Sequence, residues 1–293
     1  MTTLDDTGRA IREVADRAGD FVVGLGQRWG VGSGILLGEG RVLTNAHNVR
    51  REQVTVTLSD GTVTTGTLLG SDIDRDVAVV SIEGGPGGVE WVPGDSNLEI
   101  GAVVFALSNP GGRGLRVTAG FVSGTQRSFR GPRGRRIAGS IEHTAPLLPG
   151  SSGGPIVDGE GRLLGLNTNR LGEGFYLAIP ADGSLRQIAD SLARGETPAR
   201  PRLGVGLAPS HVARNLRQAV GLAPEDGLLV RVVEDDSPAA SAGIREGDLL
   251  VEAGGKKLVD FDVLFDALEG AASRLEVKVI RGTDEHILEV SLN

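Results

Sequence analysis

The stretch PGSSGGP, residues 149–155, sets two serines side by side between glycines. A serine hydroxyl becomes a nucleophile only beside a base, and that base needs a third group to orient it. The glycines bear on which serine would serve. Negative charge developing on a substrate oxygen is held by backbone N–H groups. Glycine tolerates the unusual dihedrals and the close approach that this requires. With Ser152 as the nucleophile, the N–H groups of Gly150 and Ser152 can converge on one spot. With Ser151, the residue two positions earlier is Pro149, which has no N–H to give. Backbone chemistry therefore favours Ser152.

Four histidines could supply the base: His47, His143, His211 and His286. The last two lie beyond a compositional break near residue 200. His143 falls in an expected strand that feeds the serine loop, and the plain reading there is a half-exposed strand residue. His47 closes the run RVLTNAHNV, where a β-branched strand ends in small polar residues and a histidine can project into a cleft. On its own, it reads equally well as structural. For the orienting acid, Asp72, Asp74 and Asp76 alternate in SDIDRDVAVV. An extended segment would put all three on one side, so periodicity does not choose among them. Asp76 abuts the apolar VAVV, and a carboxylate at a buried edge needs a partner such as a histidine N–H.

Outward from this stretch, 293 residues imply two or three compact units. The composition, 39% hydrophobic and 23% charged, is that of a globular protein rather than a disordered chain. Forty-six glycines imply many tight turns, and aromatics at only 3% leave Val, Leu, Ile and Ala to fill the core. The net charge of −8 speaks against a general nucleic-acid binder. With no cysteine, disulfides, thiolate catalysis and cysteine-based zinc sites are excluded. No run approaches the length of a membrane span. The N-terminus lacks the basic and apolar regions of a signal peptide. The expectation is therefore a cytoplasmic chain, or a periplasmic or extracellular one whose leader has been removed.

Residues 4–17 carry helical spacing. Twelve short apolar or alternating runs follow from Phe21 to Pro180, each punctuated by Gly, Asp or Pro, as in an all-β barrel or sandwich. SLRQIADSLA (184–193) reads as a helix. GETPARPRLG (195–204), with its two prolines, reads as a linker. Beyond it, alternating strand and helix patterns make a small α+β domain. No internal repeat is visible.

TNAH, DVAVV and GSSGGP, in that order, resemble the chymotrypsin-fold serine proteases. VGSGILLGEGRVLTNAHNV, VVFALSNPGG, VTAGFVSG, LGLNTN and LAIP resemble the HtrA/Deg branch in particular. LGVG and SPAASAGIREGDLLVEAGGKKL resemble a PDZ domain of that family. The resemblance implies a mainly β fold: a chymotrypsin-like double β-barrel protease domain followed by an α+β PDZ domain. The boundaries follow as an N-terminal helix at 1–18, the protease domain at 19–194, a linker at 195–202 and the PDZ domain at 203–293. It implies His47 as general base, Asp76 as its orienter and Ser152 as nucleophile, with Gly150 and Ser152 forming the oxyanion hole. The chemistry it implies is acyl transfer without metal or cofactor.

The resemblance also implies unfolded proteins or peptides as substrates, peptide C-termini as PDZ ligands and a homo-oligomer, commonly a trimer, to which the N-terminal helix and Phe21 could contribute. A regulatory protease or an inactive peptide-binding scaffold are the alternatives. Asn167, Thr168 and Asn169 resemble the substrate-pairing strand. Phe175 and Tyr176, bulkier than usual for the family, either narrow the primary pocket or turn into the core. For the PDZ domain, Leu203, Gly204, Val205 and Gly206 match the ligand loop and strand, with Val263, Leu264 and Leu268 as pocket candidates.

Three departures stand out. Ser151 replaces the family's Asn and the trypsin-type activation Asp. Asn48 replaces a Val and is expected at the cleft edge. Pro146 stands where a trypsin-like enzyme keeps an acid, so cleavage after Lys or Arg is not expected. The arginine-rich RSFRGPRGRR, residues 127–136, falls where relatives carry a regulatory loop and otherwise reads as a solvated hairpin tip.

Overall fold

The computed structural model describes residues 3–26, 31–92, 98–131, 136–172, 174–196 and 201–292. The chain divides into two compact units, residues 1–198 and 199–293.

The first unit opens with helix α1 (Thr3–Ala18). Its positions 10, 11, 14 and 18 form the apolar stripe expected of an amphipathic helix. Val14 and Ala18 are buried against Phe105, Leu107 and Val157, so this face is consumed within its own unit. Twelve strands follow. The first six are β1 (Val22–Leu25), β2 (Gly32–Gly38), β3 (Arg41–Thr44), β4 (Gln53–Thr57), β5 (Val63–Asp72) and β6 (Val77–Ser81). They close into a barrel of order β1-β2-β3-β6-β5-β4. The second six are β7 (Val103–Ser108), β8 (Arg116–Arg130), β9 (Arg136–His143), β10 (Pro155–Val157), β11 (Leu163–Gly172) and β12 (Phe175–Pro180). They close in the order β10-β11-β12-β9-β8-β7. Read around the ring, the second order repeats the first. The chain thus folds one six-strand topology twice, a repeat that side-chain alternation alone does not reveal. Closure leaves neither barrel a free sheet edge.

Local chemistry explains the closure. In β6 the run Val77–Val80 is fully buried. Gly34 lets β2 and β3 approach, since a Cβ there would stand 2.7 Å from Val42 Cγ1. Helix α2 (Gly183–Ala193) is capped by Asp182, which accepts from Leu185 N–H. Its Leu185, Ile188, Ala189 and Leu192 join Ile35, Leu43, Val77, Val79, Leu163 and Leu166 in one core cluster drawn from both barrels. The arginine-rich stretch forms the facing arms of the β8–β9 hairpin, with Arg127 paired to Glu142. Its residues 132–135 lie outside the described set.

The second unit holds β13 (Val205–Ala208), α3 (Ser210–Ala219), β14 (Leu228–Val233), α4 (Pro238–Ser241), β15 (Leu249–Ala253), β16 (Lys256–Lys257), α5 (Phe261–Gly270), β17 (Arg274–Arg281) and β18 (Asp284–Ser291). The sheet order is β13-β14-β15-β17-β18, with β16 paired to β15. β13 is therefore an edge strand. Leu203, Leu264 and Leu268 belong to this unit's core, while Val263 is half-buried beside it. The pocket expected from Leu264 and Leu268 is thus largely spent on holding α5 down, because a ten-residue helix needs one buried face. Gly204, at φ 75°, could not carry a side chain: its Cβ would fall 2.4 Å from Ser237 Cβ. Among the described residues, no helix of either unit is long and apolar enough to cross a membrane.

Candidate active site

Strand pairing brings His47 and Asp76 together. β3 and β6 run antiparallel with Thr44 opposite Ala78. Two residues further out on each side, the pairing carries the 3₁₀ turn Ala46–Asn48 to the level of Asp76. His47 Nδ1 lies 2.9 and 2.8 Å from the two carboxylate oxygens of Asp76, and the His47 backbone N–H donates to Oδ1 at 3.1 Å. A carboxylate only accepts, so Nδ1 carries the proton and the lone pair of the neutral ring sits on Nε2. Asp76 is 1% exposed. Its carboxylate takes a further hydrogen bond from Thr168 Oγ1 at 2.7 Å, and its carbonyl accepts from Asn45 Nδ2 at 2.9 Å. Such a donor set is what a buried carboxylate requires.

The three alternating aspartates do not share a side. Residues 73–76 form a turn rather than an extended segment, so the period of two fails there. Asp72 accepts from the Arg75 backbone and guanidinium, closing that turn. Asp76 takes a left-handed φ of 58°, uncommon outside glycine.

The serine loop connects β9 to β10. Leu148–Pro149–Gly150–Ser151 forms a turn in which Ser151 N–H donates to Leu148 C=O at 3.0 Å. Gly150 has φ 87°, and proline cannot reach positive φ, which defines a type II turn. Pro149 at the second position and Gly150 at the third are the residues that turn demands. Among the described residues, neither Gly150 N–H nor Ser152 N–H has an acceptor. Both donors are left for a ligand.

The two serines part company here. Ser151 is buried and donates to Ser108 Oγ at 3.1 Å. Ser152 is half-buried and lines a cleft together with His47 and Gly150. Its hydroxyl donates to Thr168 C=O at 3.0 Å, and no hydrogen bond joins it to His47. The backbone around it is clamped from both barrels. Ser33 N–H and Asn48 Nδ2 each donate to Ser152 C=O at 2.9 Å, while Gly153 N–H donates to Asn167 C=O at 2.7 Å. Gly153 fits only as glycine, since a Cβ would stand 2.1 Å from Ser33 C=O.

Other expected residues behave differently. Asn167 contributes backbone to the serine loop, but its side chain is buried: Nδ2 donates to Pro155 C=O and Oδ1 meets His143 Nε2 at 3.0 Å. His143 is fully buried rather than half-exposed, and it stacks on Tyr176 with ring centroids 5.8 Å apart. Burial pushes its pKa down to about 4, partly opposed by the Asn167 hydrogen bond. Tyr176 therefore turns into the core, while Phe175 is exposed at the tip of the β11–β12 hairpin. Asn169 pairs with Leu177 through its backbone, and its side chain lies outside the described set. Asn48 does more than edge the cleft, since it bonds to both Ser152 C=O and Thr44 Oγ1. The roles of Asn48, Ser33 and the Thr168 hydroxyl have no local signature. The available hint is that small polar residues beside buried strands must find partners.

Paired six-stranded barrels with a histidine, an aspartate and a serine where they meet define the class of trypsin-like serine peptidases. A model of the trypsin-like peptidase domain matches residues 32–166, and a PDZ domain model matches residues 229–281. The HhoA protein of Synechocystis sp. is 35% identical over 271 residues, covering 86% of this chain and 68% of HhoA. The serine endoprotease DegS of Salmonella typhimurium is 34% identical over 244 residues, covering 78% of this chain and 66% of DegS. The solved HtrA-type protease AlgW with a decapeptide superposes with a TM-score of 0.71 at 25% identity, covering 97% of this chain and 98% of that one. The chain belongs to the HtrA/Deg family of trypsin-like serine proteases that carry a PDZ domain. It spans about half to two thirds of the length of the curated relatives it matches.

Proposed function

We propose that this chain is an HtrA-type serine endopeptidase acting on unfolded or misfolded polypeptides. The observation that carries the reading is His47, held from behind by the buried Asp76, in one cleft with Ser152 and Gly150, whose backbone N–H groups have no acceptor among the described residues. Asp76 holds His47 with its Nε2 lone pair available. The Ser152 hydroxyl leaves Thr168 C=O for that nitrogen, an exchange of one neutral hydrogen bond for another that costs about 1 kcal/mol or less. Ser152 Oγ then attacks the peptide carbonyl and its proton passes to His47. The Gly150 and Ser152 N–H groups receive the oxyanion, a contribution of roughly 10²–10³ in turnover per donor. His47 gives the proton to the leaving amine, and water completes the second half by the reverse path. The acyl side of the substrate pairs with the outer edge of β11 at Thr168 and Asn169. β10 pairs no further along β11 than Leu166.

The second unit is proposed to bind peptide C-termini by strand addition at β13, with the Leu203–Gly204 turn facing the carboxylate and Val263 contributing to the pocket. The AlgW complex with a decapeptide supports peptide binding in this architecture. A homotrimer and a compartment outside the cytoplasm are the assembly and location favoured by family membership. Several matched relatives are named periplasmic endoproteases.

Incubation with unfolded casein, beside a Ser152→Ala variant, tests the reading. Wild type cuts casein and is labelled by a serine-directed fluorophosphonate, and the variant does neither. Intact casein and an unlabelled wild type would refute it. Light scattering gives the assembly state.

A further inference from the structure

The cleft that holds His47, Gly150 and Ser152 does not end at the serine. It has a volume of about 590 Å³ and continues along the N-terminal barrel, where Arg50, Arg51 and Gln53 line it. Both arginines are exposed and follow His47 by three and four residues, just before β4. Among the described residues neither makes an ion pair. Glu52, between Arg51 and Gln53, is not part of the lining. Two uncompensated guanidinium groups beside a nucleophile are unexpected in a chain of net charge −8, where arginines elsewhere are extensively paired with Asp or Glu.

We propose that Arg50 and Arg51 form a leaving-group subsite that selects substrates with Asp or Glu in the first few positions after the scissile bond. This inference rests on the roles given to His47 and Ser152 above. The direction of the chain follows from the chemistry. The leaving amine takes its proton from His47, so the residues that follow the bond depart on the side where His47 stands. That side is the arginine-lined cleft. The acyl side is committed to the β11 edge, and no residue of β11 lines this cleft. A guanidinium presents a planar fork of donors that matches a carboxylate. The overall negative field of the protein repels acidic segments generally, so the paired arginines make this cleft the locally favourable place for them. Arg50 and Arg51 are specificity-determining positions and touch none of the reacting atoms.

The test uses quenched-fluorescence peptides built on a sequence that the full-length protein cuts. Glu or Gln is placed at the first three positions after the bond or, in a second set, at the first three before it. Wild type is compared with the Arg50→Gln/Arg51→Gln double variant. The wild type is expected to favour Glu over Gln after the bond by about tenfold in kcat/KM. That ratio shrinks in about 1 M salt and falls to about one in the double variant, while Glu before the bond gives no preference. A wild-type ratio near one, with the enzyme labelled by fluorophosphonate and cutting the parent peptide, overturns the inference and leaves the peptidase reading standing. So does a tenfold ratio that survives in the double variant. Absence of both labelling and cutting overturns the peptidase reading and this inference with it.

Discussion

Replacing His143 by glutamine should make the barrel unit less sensitive to acid. Asn167 Nδ2 donates to Pro155 C=O, which leaves Asn167 Oδ1 as an acceptor facing His143 Nε2 at 3.0 Å. His143 must therefore be protonated on Nε2, with the lone pair on Nδ1. That nitrogen is buried and has no partner. A second proton would place charge on Nδ1 in a site that offers it no acceptor, and burial accordingly holds the pKa at about 4 against 6.5 for the free side chain. Between those two values the unfolded chain binds a proton that the folded chain does not. Folding stability is therefore full above about pH 6.5 and falls as pH drops towards 4. The complete loss is about 3 kcal/mol, most of it already incurred by pH 4.5. Glutamine can still donate to Asn167 Oδ1 but does not titrate. Both tryptophans, Trp29 and Trp91, lie in residues 1–198, so tryptophan fluorescence during urea unfolding reports this unit alone. Between about pH 7.5 and 4.5, wild type should lose about 2–3 kcal/mol more than His143→Gln, with the contribution of the carboxylates cancelling in the comparison. Equal losses in the two proteins would refute the reasoning about the orphaned nitrogen.

Other substitutions probe the remaining parts. Gly150→Ala sets a Cβ 2.9 Å from Pro110 Cβ at φ 87°, so the turn should strain by about 1 kcal/mol or more and turnover should drop roughly 10²-fold as its donor is displaced, measured as kcat on casein-derived peptides. Thr168→Val removes the 2.7 Å hydrogen bond to Asp76. A destabilisation of about 2 kcal/mol in urea, with a lower kcat at unchanged backbone geometry, is expected. In the second unit Arg281 meets the buried Asp248 through two 2.8 Å contacts, and Arg281→Ala leaves that buried carboxylate with the Arg245 N–H but without its counter-charge. With the arginine one third exposed, a loss of about 2 kcal/mol should appear in the unfolding of residues 199–293, read by hydrogen exchange, with little change in the barrels.

Much of the architecture could be read from residue order because strands and turns are local. The twelve short runs became twelve strands, and the apolar spacing of 184–193 became α2, since alternation and helical spacing directly mark which face is buried. The serine loop was legible for the same reason. Pro149 and Gly150 can occupy only their respective places in a type II turn, and Pro149 has no N–H, so the chain chemistry singled out Ser152 before any packing was known. Where a side chain looks for its partner across the fold, local pattern carries no information. The aspartates at 72, 74 and 76 alternate in sequence, yet a turn breaks the alternation, and the register of β3 against β6 selects Asp76. The pattern left Tyr176 open between the pocket and the core, and it turns inward with the Asn167 side chain onto His143, whose burial no strand pattern announces. Thr168, ninety-two residues from Asp76, reaches it only because the two barrels meet there. The sequence by itself determined the strands, the tight turns and the difference between the two adjacent serines. Tertiary structure decided how Asp76 is held against His47, which polar groups are buried and which arginines near Ser152 lack an ion-pair partner among the described residues, because each of those depends on residues brought together only when the barrels close.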